Sequence, residues 1–372
     1  VLSRTQIVAR VEQSLRNHTT VVVVGPYQCG LTTLGRQLQA RLGREVRWVD
    51  LDDPAQRDQA DRLFEATARD QLVIVDHAES APEMARSLVA RCRAIGQRCL
   101  AFSSVRIDRL SPQPIEVDGF AAAELPELDE RTIWFRGGLP LSVLAQSEID
   151  SVIWRRRYLI ELLERIDRVA RHRQPIDQVR RFLQMLAQQH GELWNASLYA
   201  RSLGVSPPTI ERYRRLLHDA MVVTELPART LPLAMRQRRA PRLFVSDSGL
   251  FHTVIGVGAF TQLLSHPQLG ASWEWFACKQ VMTHGAFDLA SCRHWSNHTG
   301  AKLDLVVETS AGRVAYLFQA NDRAPSTPRL RRLFELTTLD RLTVVRPGKG
   351  RIQLFDQCDW IGLGEFAPRT LP

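Results

Sequence analysis

Thr20-Val21-Val22-Val23-Val24-Gly25-Pro26-Tyr27-Gln28-Cys29-Gly30-Leu31-Thr32-Thr33-Leu34 is where the chain declares its architecture. The run Thr20 to Val24 is a strand's length of β-branched, uncharged side chains, the pattern of a strand covered on both faces. Gly25 and Gly30, followed by Thr32 and Thr33 at the head of a helical pattern, have the spacing of a loop that cradles phosphate. Glycines let backbone amides approach the oxygens, the helix start adds unsatisfied N–H groups, and the Thr32 hydroxyl is placed for magnesium. Position 31 departs from this chemistry. A lysine there would reach the β- and γ-phosphate oxygens, whereas Leu31 has neither charge nor donor. The alternative is that Gly25 and Gly30 merely turn the chain from strand to helix.

A second apolar run, Gln71-Leu72-Val73-Ile74-Val75-Asp76-His77, ends in an aspartate, as a strand that presents a carboxylate to magnesium does. His77 stands where a water-polarising glutamate is needed, and Glu79 replaces it only if the chain bends that side chain inward. A third run, Cys99 to Ser104, puts Ser103 where a group sensing a terminal phosphate would sit. Gly25, Gly30, Thr32, Thr33, Asp76 and Ser103 are thus the expected nucleotide-binding residues, with Thr32 and Asp76 as magnesium ligands.

At 372 residues, 44% of them hydrophobic, the chain is long enough for two or three domains. No uninterrupted apolar stretch is long enough for a membrane span, and the start lacks the tripartite order of a signal peptide. The six cysteines are scattered with no CxxC, so reduced thiols, a cytoplasmic location and no cysteine–histidine metal site are expected. A net charge of +9 favours an anionic partner, although only Lys279, Lys302 and Lys349 are lysines and arginine enrichment itself carries little information.

From about Ser151 to Pro227 the pattern is helical, with Tyr158, Leu159, Leu162, Leu163 and Ile166 at three- and four-residue steps. A helix-turn-helix is expected within it. Leu198, Tyr199 and Leu203 give the first apolar face, Gly204-Val205-Ser206 the turn, and Ile210, Tyr213 and Leu217 the inward face of the second helix. Arg212, Arg214 and Arg215 then lie toward the outside, and Arg236, Arg238, Arg239 and Arg242 form a basic strap. These arginines are the nucleic-acid candidates. A linker or protein-contact role is the competing reading, and Glu211 and Asp219 dilute the basic face.

Taken in order, the loop, Trp48-Val49-Asp50-Leu51-Asp52-Asp53-Pro54, the Asp76 strand, Phe135-Arg136-Gly137-Gly138-Leu139-Pro140, Val245-Ser246-Asp247-Ser248-Gly249-Leu250 and Gly300-Ala301-Lys302-Leu303-Asp304-Leu305-Val306 resemble the bacterial and archaeal AAA-type ATPases that carry a C-terminal nuclease-like domain of unknown function. The resemblance runs over nearly the whole chain. It implies an α/β fold with a P-loop AAA-type domain (1–145), a helical linker and winged helix-turn-helix (146–235) and an α/β restriction-nuclease-like domain (236–372).

It also implies a helical glutamate, a strand aspartate and a Glu-x-Lys pair gathering magnesium in the last domain. Glu274 and Asp304 match the first two, but Gln319 and Asn321 stand at the others and bring neither anion nor cation. Nuclease activity is therefore not expected. Metal binding by Glu274 and Asp304 ranks below a structural pairing of Asp304 with Lys302 or a neighbouring arginine. Family members carry lysine at Leu31, glutamate at His77 and a glycine–arginine pair that Pro112 to Phe120 lacks. With Leu31, His77, Gln319 and Asn321 all degenerate, no catalytic residue is assigned. The expectation is a degenerate ATPase with weak ATP and magnesium binding and little or no hydrolysis, acting with nucleic acid. Its alternative is a nucleotide-free scaffold that partners another protein, such as an active paralogue.

Overall fold

Helix α1 (Thr5–Asn17) and strand β1 (Thr20–Val24) open the first of two units into which the computed structural model divides the chain. The structure describes residues 4–42, 45–65, 68, 71–170, 175–230, 236–310 and 312–366. Unit 1 takes Val1–Gly119, Ile160–Ile176 and Arg215–Val222; unit 2 takes Phe120–Leu159, Asp177–Arg214 and Val223–Pro372.

Unit 1 continues through α2 (Leu31–Leu42), β2 (Val46–Asp50), α3 (Pro54–Asp58), α4 (Ala60–Glu65), β3 (Leu72–Asp76), α5 (Pro82–Ile95), β4 (Cys99–Ser103) and β5 (Ile115–Glu116). Its sheet runs β2-β3-β4-β1-β5, every pairing parallel. Alternation explains the uninterrupted valines of β1. Val22 and Val24 enter a core with Val73, Val75, Leu88 and Cys92, while Val21 and Val23 enter another with Leu34, Leu38, Ile74 and Phe102. Because all strands point one way, Gly25, Asp50, Asp76 and Ser103 come out together at the carboxyl edge of the sheet, where open α/β sheets bind ligands.

Unit 2 holds α6 (Glu130–Arg136), α7 (Pro140–Val143), α8 (Glu148–Val169), α9 (Ile176–Gln188), α10 (Ala196–Leu203), α11 (Pro207–Asp219), β6 (Val223–Leu226), β7 (Arg242–Val245), α12 (Ser248–Val254), α13 (Phe260–Leu264) and α14 (Leu269–His284). There follow β8 (Cys292–Ser296), β9 (Lys302–Thr309), β10 (Gly312–Phe318), α15 (Thr327–Thr337), β11 (Arg341–Arg346), β12 (Arg351–Phe355) and β13 (Cys358–Gly362). The end of α8 from Ile160, the first residue of α9 and the end of α11 from Arg215 are counted with unit 1. A mixed sheet runs β12-β13-β11-β10-β9-β8, and β6 and β7 form an antiparallel pair.

The turn between α10 and α11 forms where its residues demand it. The Asn195 side chain caps α10 by accepting the Leu198 N–H, and Gly204, at φ 66°, ends it in the left-handed region. Ile210, Tyr213 and Leu217 are buried as their spacing requires, but Leu198, assigned inward from sequence, is 39% exposed. The helix rotates it out because Tyr199 and Ala200 take the buried positions.

Phe120–Leu159 packs in unit 2, although the sequence-based boundary placed the part up to 145 with the P-loop. Trp134 stands edge-on to Trp273 at 5.1 Å and to Phe260 at 5.5 Å, burying α6 against α13 and α14. The Phe135–Pro140 and Val245–Leu250 motifs meet here. Asp247 accepts the Gly138 N–H at 2.7 Å and the Leu250 N–H at 2.8 Å. Ser248 donates to the Trp134 carbonyl at 2.8 Å, and the fully buried Arg155 donates to the Phe135 and Gly249 carbonyls at 2.8 and 2.7 Å. These motifs join α6, α8 and α12.

Candidate functional site

β4 lies between β1 and β3 in the sheet, so the loop after β1 and the acidic end of β3 sit two strands apart on one edge. The gap is bridged by a hydrogen bond. Thr32, in the first turn of α2, donates from Oγ1 to Asp76 Oδ2 at 2.8 Å. The loop reaches it through left-handed backbone at Gln28 (φ 59°) and Gly30 (φ 97°), which redirects successive amides as an anion-binding loop does. Gly25 is required by close approach, since a Cβ there would lie 2.5 Å from Cys29 Sγ and 2.7 Å from the Val117 carbonyl. Thr33 follows in the same first turn of α2. Burial pushes the Cys29 thiol up to about 12, leaving it inert.

Leu31 packs against the core of Val21, Val23, Leu34 and Phe102. Asp76 is buried, which raises its pKa above the usual carboxylate range despite the lowering effects of His77 and Thr32. Its other oxygen, Oδ1, accepts the His77 N–H at 2.9 Å. His77 has a left-handed backbone at φ 50° and sets its Nδ1 2.9 Å from Asp50 Oδ1. Burial opposes protonation of this imidazole, but the Asp76 charge and the Asp50 hydrogen bond outweigh it and raise its pKa.

Glu79 does bend inward, and it is committed there. Its carboxylate, 2% exposed as a residue, accepts the Ser104 N–H at 3.0 Å and the Ser104 hydroxyl at 2.7 Å, and pairs with Arg165 at 2.5 Å. Burial favours its neutral form, but Arg165 and Ser104 override that and hold its pKa low. Ser103 is buried and donates to the Val105 carbonyl at 2.6 Å. Arg165 also lies over the ring of Tyr27, a loop residue, at 4.8 Å. No sequence signal pointed to Arg165, because a residue 86 positions from its partner carries no local pattern.

Of the arginine candidates, Arg212, Arg215, Arg236, Arg238 and Arg239 are exposed. Arg214 is not available in the same way. It pairs with Glu211 at 2.7 Å and with Glu225, and lies over the Trp194 ring at 5.6 Å. Arg242, assigned to the basic strap from sequence, turns inward to the acidic pair of α14 and β9. It lies 2.5 Å from Glu274 and 3.6 Å from Asp304, while Lys302 lies 3.3 Å from Glu274 and 2.8 Å from Asp304. Burial opposes ionisation of Glu274, but these cations outweigh it and lower its pKa; burial and the Glu274 charge raise that of Asp304. A divalent ion does not fit a carboxylate pair already matched by two cations. Gln319 donates to Asn321 Oδ1 at 2.7 Å, and the same oxygen accepts the Arg323 N–H at 3.0 Å. Among the described residues no group of three or more His, Cys, Asp or Glu side chains is gathered for a metal, and no helix is long and apolar enough to cross a membrane.

Comparison with known proteins adds three findings. A family described as a domain of unknown function (DUF8612) matches residues 127–261, the part that contains the joined motifs of α6 and α12. The uncharacterized protein Rv2008c of Mycobacterium tuberculosis is 32% identical over 373 residues, covering 96% of this chain and 82% of the relative; Mb2031c of Mycobacterium bovis matches equally. Among solved structures, the Walker-type ATPase PABY2304 of Pyrococcus abyssi has a TM-score of 0.49 at 14% identity, covering 68% of this chain and 96% of that one. The RuvB Holliday junction branch migration motor of Thermotoga maritima has a TM-score of 0.29 at 18% identity, covering 61% and 90%. Likeness at those TM-scores is too slight to assign this chain an activity.

Proposed function

Since the chain belongs to the family of the uncharacterized mycobacterial protein Rv2008c, whose name assigns no activity, we propose its function from its own residues: an AAA-type protein that binds a nucleoside triphosphate with magnesium and hydrolyses it slowly or not at all. The observation that carries this reading is the Thr32–Asp76 hydrogen bond at 2.8 Å, which joins the start of a helix behind a glycine loop to the acidic end of a neighbouring strand. Gly25 and Gly30 give the phosphates access to loop amides, and Thr32 and Thr33 stand at the helix start. A magnesium ion fits the convergent hydroxyl of Thr32 and carboxylate of Asp76, where burial leaves the carboxylate short of compensating charge. When bound it would neutralise phosphate charge. Turnover is slow on this reading because Leu31 supplies no cation to the β- and γ-oxygens and the Glu79 carboxylate is held by Ser104 and Arg165.

Calorimetric titration with ATP and a slowly hydrolysed analogue in magnesium, with phosphate release followed in parallel, tests this. Binding without release, lost in Thr32→Val and Asp76→Asn, is the expected result. No binding at millimolar nucleotide overturns it and leaves the nucleotide-free scaffold; brisk release overturns slow hydrolysis.

A second reading, nucleic-acid contact through a winged helix, is favoured by the order α10, tight turn, α11, then the β6–β7 pair, with Arg212, Arg236, Arg238 and Arg239 exposed. The segment 236–239 runs beside β8, its Arg238 N–H donating to the Ser296 carbonyl at 3.0 Å. Binding to duplex DNA should weaken with salt at a slope of about −0.9 per phosphate neutralised. An Arg236→Ala/Arg238→Ala/Arg239→Ala variant with unchanged affinity and slope would remove this reading.

A further inference from the structure

Leu141, Leu144, Ile149 and Ile153 are 59, 47, 67 and 51% exposed, and they crowd into α7, α8 and the turn between them. Among the described residues, the other exposed large apolar ones are Ile160, further along α8, and Ile95, Leu198, Leu264 and Ile352, each on a different element. On α8, Ile149, Ile153 and Arg156 follow at steps of four and three and share one face. The opposite face of the same helix is buried through Ser151, Val152, Arg155 and Tyr158.

The helix cannot roll to hide its isoleucines. Arg155 anchors it to the Phe135 and Gly249 carbonyls, and Ser151 and Ser142 share a hydrogen bond at 2.8 Å. A fixed, unpartnered apolar stripe on a rigid helix is a surface that association would cover.

We propose that this stripe is a two-fold interface between two copies of the chain, with the segment of α8 around Ile153 packed antiparallel on its counterpart. The flanking charges select this occupant. Asp150 and Arg157 are both exposed, lie along one flank of the stripe and are seven residues apart, about 10.5 Å of helix rise, straddling Ile153. In an antiparallel pair related by a dyad near Ile153, Asp150 of each copy faces Arg157 of the other, so the complementary contact forms twice. A parallel pair carries this flank of the two copies to opposite sides of the interface, so the Asp150–Arg157 contact does not form. Such internal complementarity is what a self-complementary interface requires and what an unrelated partner would not impose. The apolar centre supplies the association free energy and the paired ends its orientation. The inference is independent of whether the P-loop binds nucleotide.

Sedimentation equilibrium of the full chain over a range of concentrations is the test. The wild type should dimerise, and Ile153→Asp, at an exposed position, should sediment as a monomer with the circular dichroism spectrum of the wild type. Arg157→Glu should raise the dissociation constant about tenfold, and Asp150→Lys/Arg157→Glu should return it toward the wild-type value by restoring the pairs with reversed sign. Ile153→Cys should form a disulfide-linked dimer under mild oxidation, since the six native cysteines are buried; Ile352→Cys should not. A monomeric wild type overturns the proposal. So does a dimer indifferent to Ile153→Asp and to the charge reversals, because it would use another surface.

Discussion

At the scale of single residues, Leu31 removes the one cation that a phosphate loop ordinarily carries, and nothing between Gly25 and Thr33 replaces it. Its side chain is turned into the core beside Leu34, so restoring the charge asks only that a longer chain leave the packing by its tip. Leu31→Lys should therefore tighten ATP binding by about 1.5–3 kcal/mol, the range of a hydrogen bond to a charged group, at a small loss of stability. Titration calorimetry checks it; an unchanged affinity would mean that the loop amides do not meet the phosphates. Glu79 and Arg165 make the opposite kind of site, a buried pair in which neither member is dispensable alone. Arg165→Ala strands a buried carboxylate and should destabilise unit 1 by about 3–5 kcal/mol, whereas Glu79→Gln/Arg165→Met should lose much less. Urea unfolding of the two variants separates them, and equal losses would deny that the pair is coupled. The loop, Thr32 and Asp76 were legible in sequence because they belong to contiguous strand–loop–helix patterns. Arg165 and the Ser104 contact were not, since only tertiary packing brings them to Glu79.

Among elements, the joint between α6, α8 and α12 shows why a motif is easier to notice than to interpret. The Phe135–Pro140 and Val245–Leu250 stretches carried a family resemblance, yet Asp247 accepts the Gly138 and Leu250 N–H groups and Ser248 donates to the Trp134 carbonyl, so their polar residues hold the backbone of the joint. Gly249 is the tightest point, since a Cβ there would collide with the Arg136 carbonyl. Gly249→Ala should separate α6 from α12 and destabilise unit 2 by several kcal/mol, on the order of the larger overpacking penalties. Gly204→Ala meets no neighbour within 4 Å but is strained at φ 66°, so it should cost about 1 kcal/mol. A chemical-denaturation series that ranked the two the other way would refute the steric account. The α10–turn–α11 order was readable from the Gly204-Val205-Ser206 turn and the apolar spacing, although Leu198 was not, and neither was the place of Arg242. A basic residue in a basic run looks like a surface strap until the fold sets Glu274 and Asp304 beside it.

Over the whole molecule, the apolar periodicity of the strands made the α/β class legible, while the division into units was not. Contacts such as Trp134 with Trp273 draw Phe120–Leu159 to partners far along the chain, and no local composition change marks that. The same burial sets the response of unit 2 to acid. Burial pulls His190 and His252 down to about 3 and His294 to about 4, so all three are neutral in the folded protein at pH 5. Their folded pKa values lie below the unfolded one, so the unfolded chain binds more protons. The stability they contribute is fully present above about pH 6.5 and is lost as pH falls toward 4, by about 1.4 kcal/mol per pH unit for each proton. Glu130 acts in the opposite sense. Burial raises it to about 7, so its contribution is complete at acid pH and is lost as pH rises through 7. Burial likewise lowers His284 and raises Asp247 and Asp304, so between pH 5 and 6.5 the histidines act in one direction and these carboxyls, with Glu130, in the other. Replacing His294, whose ring nitrogen Nε2 lies 3.0 Å from the Ala240 carbonyl, by Gln keeps a donor near that oxygen but removes a titrating group. Urea unfolding of His294→Gln across this window should therefore show a slope lower by about one proton. An unchanged slope would mean that His294 binds its proton in the folded state as readily as in the unfolded chain.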